Sequence, residues 1–125
     1  MDKPHKRLDV WKLSMESVLD IYRVTAEFPV EERYGLVAQM RAAAVSVPSN
    51  IAEGAARNTK REFANFLHVA QASLSELDTQ VEIAVRLGYL TPGDATPALD
   101  RMERTDKMLT GLIKSLRREA KNREP

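Results

Sequence analysis

Two histidines, His5 and His68, and four of the seven serines, Ser46, Ser49, Ser73 and Ser75, join eighteen carboxylates among the side chains whose types could do chemistry. Their spacing argues against it. No His-x-x-x-His or Glu-x-x-His occurs, the spacings that set two metal ligands on one helix face. No glycine-rich loop is present to cradle a phosphate. The serines have no neighbouring base to activate a hydroxyl. His68 follows Leu67 and lies four residues after Ala64, which reads as a surface or interface position rather than a ligand. The absence of cysteine removes thiolate chemistry and disulfides and fits a reducing compartment. The expectation is a non-enzymatic protein with no metal, cofactor or small-molecule substrate.

Charge is the remaining chemical signal. The net charge of +1 creates no global field for nucleic acid. Its distribution is uneven, however. Lys3, Lys6 and Arg7 crowd the start of the chain, and Lys114, Arg117, Arg118, Lys121 and Arg123 crowd its end. Arg41, Arg57, Lys60 and Arg61 are expected at one tip of the fold, where Arg57, Lys60 and Arg61, with Arg117, Arg118 and Lys121, are candidate RNA or DNA contacts. The competing reading is two solvated, frayed basic termini, since cations also suit a helix C-terminus. Phe63 and Phe66, the aromatics nearest these cations, belong to a core stripe. Binding would therefore be directed to the backbone and sensitive to salt.

The elements that position these groups are helices. With 43% hydrophobic and 30% charged residues over 125, one globular domain covering 1–125 is expected. The chain is organised around Ala42 to Arg57. Leu36, Met40, Ala43, Val47, Ile51 and Gly54 recur at steps of three and four, which makes an apolar helical stripe. Pro48 lies on it and predicts a kink. A first helix is expected over about 9–27, with Asp9 as N-cap and Trp11, Met15, Val18, Ile21 or Tyr22, and Thr25 as its stripe. The second spans about 32–57 and the third about 60–88, opened by a Thr59–Glu62 capping box and closed by Gly88. The fourth covers about 95–120, with Leu99, Met102, Leu109, Leu112 and Leu116 inward. Short connections predict an all-α, up-down-up-down four-helix bundle. No apolar run is long enough to span a membrane, and no signal peptide is evident, so a cytoplasmic location is expected.

Antiparallel pairing of the second and third helices sets Arg41 level with Glu76 and Asn50 near Leu67. Arg41–Glu76 is then a candidate structural ion pair, buried or at the surface. Val45, Ala52, Ala55 and Ala56 add apolar surface off the main stripe of the second helix, and Val69, Leu87, Tyr89 and Leu90 extend it on the third. Together with Pro48, Asn50, Glu53 and Gly54, the residues Val45 and Ala52 are the candidate helix-packing or oligomer positions. The alternative is scattered exposed apolar side chains, which monomers tolerate.

Phe28-Pro29, Glu32, Tyr34-Gly35-Leu36, Gln39, Arg41, Ala43-Ala44 and the run Ser46-Val47-Pro48-Ser49-Asn50-Ile51-Ala52-Glu53-Gly54 resemble the four-helix-bundle family of 23S rRNA intervening-sequence proteins. So do Arg57, Phe63, Phe66-Leu67, Ala70, Ser73, Glu76-Leu77, Gln80, Ala84 and Leu87-Gly88-Tyr89. Ala42 departs from the pattern, where a second basic residue after Arg41 is common. The resemblance implies a left-handed bundle assembled as a homopentameric ring around a central channel. It also makes the accessory protein of diversity-generating retroelements look like a relative. That protein is a basic pentamer that contacts a reverse transcriptase and nucleic acid, and this chain is far less basic. The function expected is an oligomeric interaction scaffold; the alternative is an RNA- or DNA-binding accessory protein, associated with rRNA or a reverse transcriptase.

Overall fold

The computed structural model describes residues 1–123. Four α-helices account for most of them: α1 (Asp9–Thr25), α2 (Leu36–Ala55), α3 (Lys60–Arg86) and α4 (Pro92–Arg123). Two short 3-10 turns, Pro4–Arg7 and Val30–Glu32, complete the set, with no strand among the described residues. Each helix packs on two others in a cycle, α1 on α2, α2 on α3, α3 on α4 and α4 on α1, while the backbones of the diagonal pairs stay more than 8 Å apart between Cα atoms. This is consistent with a four-helix bundle. Ile21, Met40, Ile51, Leu67, Leu77 and Leu109 form the driest part of the core.

The buried face of α1 agrees with the expected one at Ile21 and Thr25 and differs elsewhere. Val10, Leu13, Ser14, Ser17, Asp20, Ile21 and Thr25 point inward, while Met15 and Tyr22 are exposed and Trp11 and Val18 half-buried. Hydroxyls reverse the expectation because they can be buried at little cost when they bond to their own helix. Ser14 donates to the Trp11 carbonyl at 2.7 Å, Ser17 to Leu13 at 3.4 Å and Thr25 to Ile21 at 2.7 Å. Asp9 is the first helical residue and not the cap. Leu8 takes the N-cap position in extended conformation, without a side-chain bond. The basic N-terminal segment forms a 3-10 turn instead of fraying, and His5 meets the Trp11 ring edge-on at 5.1 Å.

Helix α2 starts four residues later than expected because Val30–Glu32 winds as a 3-10 turn and Gly35 takes the N-cap position. Glu32 holds this corner. Its Oε1 accepts from the Leu36 amide at 3.3 Å, and Tyr89 donates its hydroxyl to Oε2 at 3.0 Å. That hydrogen bond is the main reason the Tyr89 phenol is raised above its ordinary pKa. Pro48 is buried inside α2, and the helix continues past it to Ala55. The end falls before Arg57 because the chain turns there: the Ala56 amide is shared between the carbonyls of Ala52 and Glu53, both at 3.3 Å, and the Arg57 amide donates to Gly54 at 3.1 Å.

Thr59 caps α3 by accepting from the Glu62 amide at 3.1 Å, and its hydroxyl donates to the Glu62 carboxylate at 3.0 Å. At the other end, Gly88 has φ of +80°. The Gly88 amide bonds Val85, and the Tyr89 amide reaches back to Ala84, both at 3.0 Å. This left-handed glycine closure satisfies two orphan carbonyls. Gly88→Ala is expected to cost about 1 kcal/mol of unfolding free energy, the penalty for a Cβ in that region. An unchanged denaturation midpoint would contradict this.

Thr91 caps α4 by accepting from the Asp94 amide at 3.1 Å, so the helix begins at Pro92, earlier than expected. A first-turn proline has no amide to leave unpaired. The helix also continues beyond Ala120 to Arg123, so the basic residues there are helical rather than frayed.

Candidate assembly face and basic end

The line Ala38, Ala42, Val45, Ser49, Ala52 and Ala56 follows steps of three and four along α2 and carries no charge. All six face outward: Ala52 is half-buried and the rest are exposed, Val45 at 40%. Neighbouring helices add apolar surface. Met15, Leu19 and Tyr22 are exposed on α1, and Val69, Ile83 and Leu87 on α3. Two expected members of this surface turn inward instead: Leu90 is buried, and Tyr89 packs on Phe28 with ring centroids 5.5 Å apart.

The other predicted packing residues divide between inside and outside. Gly54 is buried against α3 of the same chain. A Cβ there would lie 2.8 Å from Phe63 Cδ1 and 2.9 Å from Phe66 Cβ. Pro48 is buried as well. Asn50 lies at the α2–α3 seam, where its amide donates to the Ser46 carbonyl at 2.8 Å and to Ser46 Oγ at 2.9 Å. Ser46 Oγ lies 2.8 Å from Ser73 Oγ, which carries the network into α3. Glu53 is exposed, with its carboxylate 4.0 Å from Arg57.

The expected Arg41–Glu76 pair does not form. Arg41 turns to α1, where its Nε donates to Thr25 Oγ1 at 3.0 Å and its guanidinium sits 4.4 Å above the Tyr22 ring. It also reaches the Tyr22 carbonyl at 3.4 Å. The last turn of a helix offers unpaired carbonyls and a negative dipole end, which outcompete an exposed carboxylate. Glu76 is exposed and accepts from Gln80. Arg41 therefore does not join the basic tip.

The ion pair that spans two helices inside the fold was not anticipated from the sequence. Asp20 on α1 is 4% exposed, and Arg101 on α4 donates to both of its carboxylate oxygens at 2.9 and 3.0 Å. Arg23 adds a contact at 3.2 Å. Asp20 would stand out only once Ser17 and Ile21 were recognised as inward-facing.

The predicted nucleic-acid residues largely converge. A cavity of about 490 Å³ at the end of α2 and start of α3 is lined by Arg57, Lys60, Arg61 and Arg123, with Phe63. A second, of about 480 Å³, shares Arg61 and adds Arg117 and Lys121. Arg118 is exposed on the same turns of α4 but lines neither. Lys60 lies 3.7 Å from Glu119, and Arg57 stacks 4.6 Å over Phe66. Phe63 and Phe66 are half-buried between helices, which leaves no aromatic platform for bases. Among the described residues no group of three His, Asp or Glu side chains could hold a metal ion, and no helix is long and apolar enough to cross a membrane.

A family model described as 23S rRNA-intervening sequence protein matches residues 6–111. No curated protein matches the chain. Among solved structures, it is similar to a protein with unknown function from the S23 ribosomal protein family of Bacteroides thetaiotaomicron VPI-5482. The TM-score is 0.75 at 21% identity, over 84% of this chain and 98% of that one.

Proposed function

The chain belongs to the 23S rRNA-intervening sequence protein family, and from that premise we propose that it is a non-enzymatic interaction scaffold, assembled from copies of itself. The protomer in this reading is a left-handed up-down-up-down bundle whose second helix bends at Pro48. The order of contacts supports the alternation. Glu32 meets Tyr89, Ser46 meets Ser73 and Gly54 meets Phe63, so rising positions before α3 pair with falling positions along and after it. Asp20 meeting Arg101 and Lys60 meeting Glu119 continue the alternation through α4.

The observation that carries the assembly is the uncharged outer line of α2 from Ala38 to Ala56. Small side chains allow two helix backbones to approach closely, and an uncharged line costs little to desolvate. Such a line is unexceptional if it is covered and unusual if it faces water along a whole helix. A ring of five, as the family resemblance implies, uses a heterologous contact between this face and another surface of the next copy. The compartment is cytoplasmic in this reading.

Sedimentation of the wild type should give a fivefold molar mass that persists at micromolar dilution. Val45→Glu places a charge at the centre of the line and should reduce the mass to that of one chain with helicity retained. A wild-type monomer, or an unchanged assembly in the variant, would defeat the proposal.

A second reading, an RNA- or DNA-binding accessory role associated with rRNA or a reverse transcriptase, is favoured by one observation. Cations from α3, α4 and the α2–α3 turn meet at one end of the fold, although they are far apart in sequence.

A further inference from the structure

We infer that the two adjoining cavities at the basic end form one track that holds a single nucleic-acid strand by its phosphates, and that ring assembly repeats this track along one rim. The inference rests on both readings above and adds the site, the form of the ligand and its multiplicity. The cavities share Arg61 and Ala120 in their walls, so they lie side by side, and both open to solvent, which suits an extended polyanion better than one small anion. Arg57, Lys60 and Arg123 line one part, and Arg117 and Lys121 line the other. Guanidinium groups suit phosphate oxygens because they can donate two parallel hydrogen bonds.

Acidic side chains are present in this region, at Glu53, Glu62 and Glu119. Their hold on Lys60 and Arg57 is weak. Lys60–Glu119 at 3.7 Å and Arg57–Glu53 at 4.0 Å are long pairs between solvent-accessible side chains. Exposed pairs of this kind contribute little, so a phosphate can displace the carboxylate at small cost. The opposite end is mixed in sign. Glu27, Glu31 and Asp94 stand there with Arg23, Arg33 and Arg86, and two of those cations are held by carboxylates at 3.2 and 2.9 Å. A polyanion is therefore better served at the end where Arg57, Lys60, Arg117, Lys121 and Arg123 gather. Phe63, the aromatic ring in the lining, is half-buried against α2, so the track offers bases no open platform. The other apolar residues in that lining, Ala55 and Ala120, are too small to insert into a bilayer, so the groove suits a strand better than a lipid surface.

Cyclic symmetry has a direct consequence here. Copies related by one rotation axis along the bundles carry equivalent ends on the same side. A ring then displays several tracks on one rim, and one strand can engage more than one of them.

The test is binding of a labelled oligouridylate of about thirty nucleotides, followed by fluorescence anisotropy. For about four phosphates per strand contact, affinity should fall roughly 50-fold between about 50 and 200 mM monovalent salt. Lys60→Glu combined with Lys121→Glu should weaken binding at least about tenfold, the loss expected from removing ionic phosphate contacts, with mass and helicity unchanged. Arg117→Glu with Lys121→Glu provides a second test should the first variant fail to fold. Arg86→Glu, at the far end of α3, should leave binding unchanged. No binding by folded protein at low salt would overturn the inference, as would an equal loss in Arg86→Glu. Capture by anionic phosphatidylserine vesicles without oligonucleotide binding would overturn it too. The assembly reading fails separately: a monomeric wild type whose binding still depends on Lys60 and Lys121 keeps the track and removes the rim.

Discussion

Gly54→Leu should destabilise the protein by about 3 kcal/mol or more, in the upper range for overpacking a helix contact. The melting temperature should fall by roughly 10 °C for a domain of this size. Even a methyl group at this position has no room. The Phe63 ring carbon at 2.8 Å can swing aside, but Phe66 Cβ at 2.9 Å is attached directly to the α3 backbone, and so is the Phe63 carbonyl at 3.2 Å. Relief therefore requires α3 to move away from α2 along their most intimate contact. Gly111 provides the control. It is exposed in α4 and no neighbouring group lies within 4 Å of where a Cβ would sit, so Gly111→Ala should stabilise the helix by up to about 1 kcal/mol. Chemical denaturation of the two variants should give shifts of opposite sign. Shifts of the same sign would mean that helix propensity, rather than close packing, governs position 54.

Arg101→Met should cost about 3 kcal/mol, although Arg101 itself is more than a third exposed. The cost arises at its partner. Asp20 has a side chain only 5% accessible, and two of its contacts come from Arg101. Removing that guanidinium leaves a carboxylate inside the fold with only the exposed Arg23 for compensation. Methionine keeps the aliphatic stem, which separates charge from packing. Arg23→Met should cost under about 1 kcal/mol, because an exposed pair adds little. Urea titrations of both variants decide the point. Equal, small losses would make Asp20 a surface-like carboxylate and the pair an ornament of the α1–α4 seam. A large loss for Arg101 alone would identify it as the tie between the first and last helices.

These two sites illustrate different degrees of legibility. Gly54 was visible in the sequence as a small residue on an apolar stripe, because a 3.6-residue period places it in line with Val47 and Ile51. What the period could not reveal was whether its close neighbour came from the same chain; the contacts with Phe63 and Phe66 supply that answer. Asp20 was not visible as an inward residue. Periodicity ranks positions by hydrophobicity, and on α1 it selected Trp11, Met15 and Val18 over Ser14 and Ser17 and left Ile21 and Tyr22 as alternatives, of which Ile21 is the buried one. Hydroxyls bonded to their own helix are poor markers of a buried face, so the register of α1 slipped and Asp20 went with it. Arg41 shows the complementary failure. Level-by-level arithmetic identified a carboxylate across the α2–α3 seam, but a long side chain can turn to either neighbour, and here the Thr25 hydroxyl and the Tyr22 ring at the end of α1 take it.

Local pattern was enough for the four helices and for the stripe from Met40 to Gly54 that α2 buries. It also determined the glycine that closes α3 and the threonine that opens it, because backbone geometry and local hydrogen bonding depend on residues within a turn of one another. It marked the cations as well, but as separate clusters at distant positions. Only the tertiary structure decided that Arg57, Lys60 and Arg61 share an end with Arg117, Lys121 and Arg123, and that the outer line of α2 is left uncovered. Those outcomes depend on which helix packs beside which, and at what rotation. That choice is settled by the fit of many side chains at once, which no local pattern records.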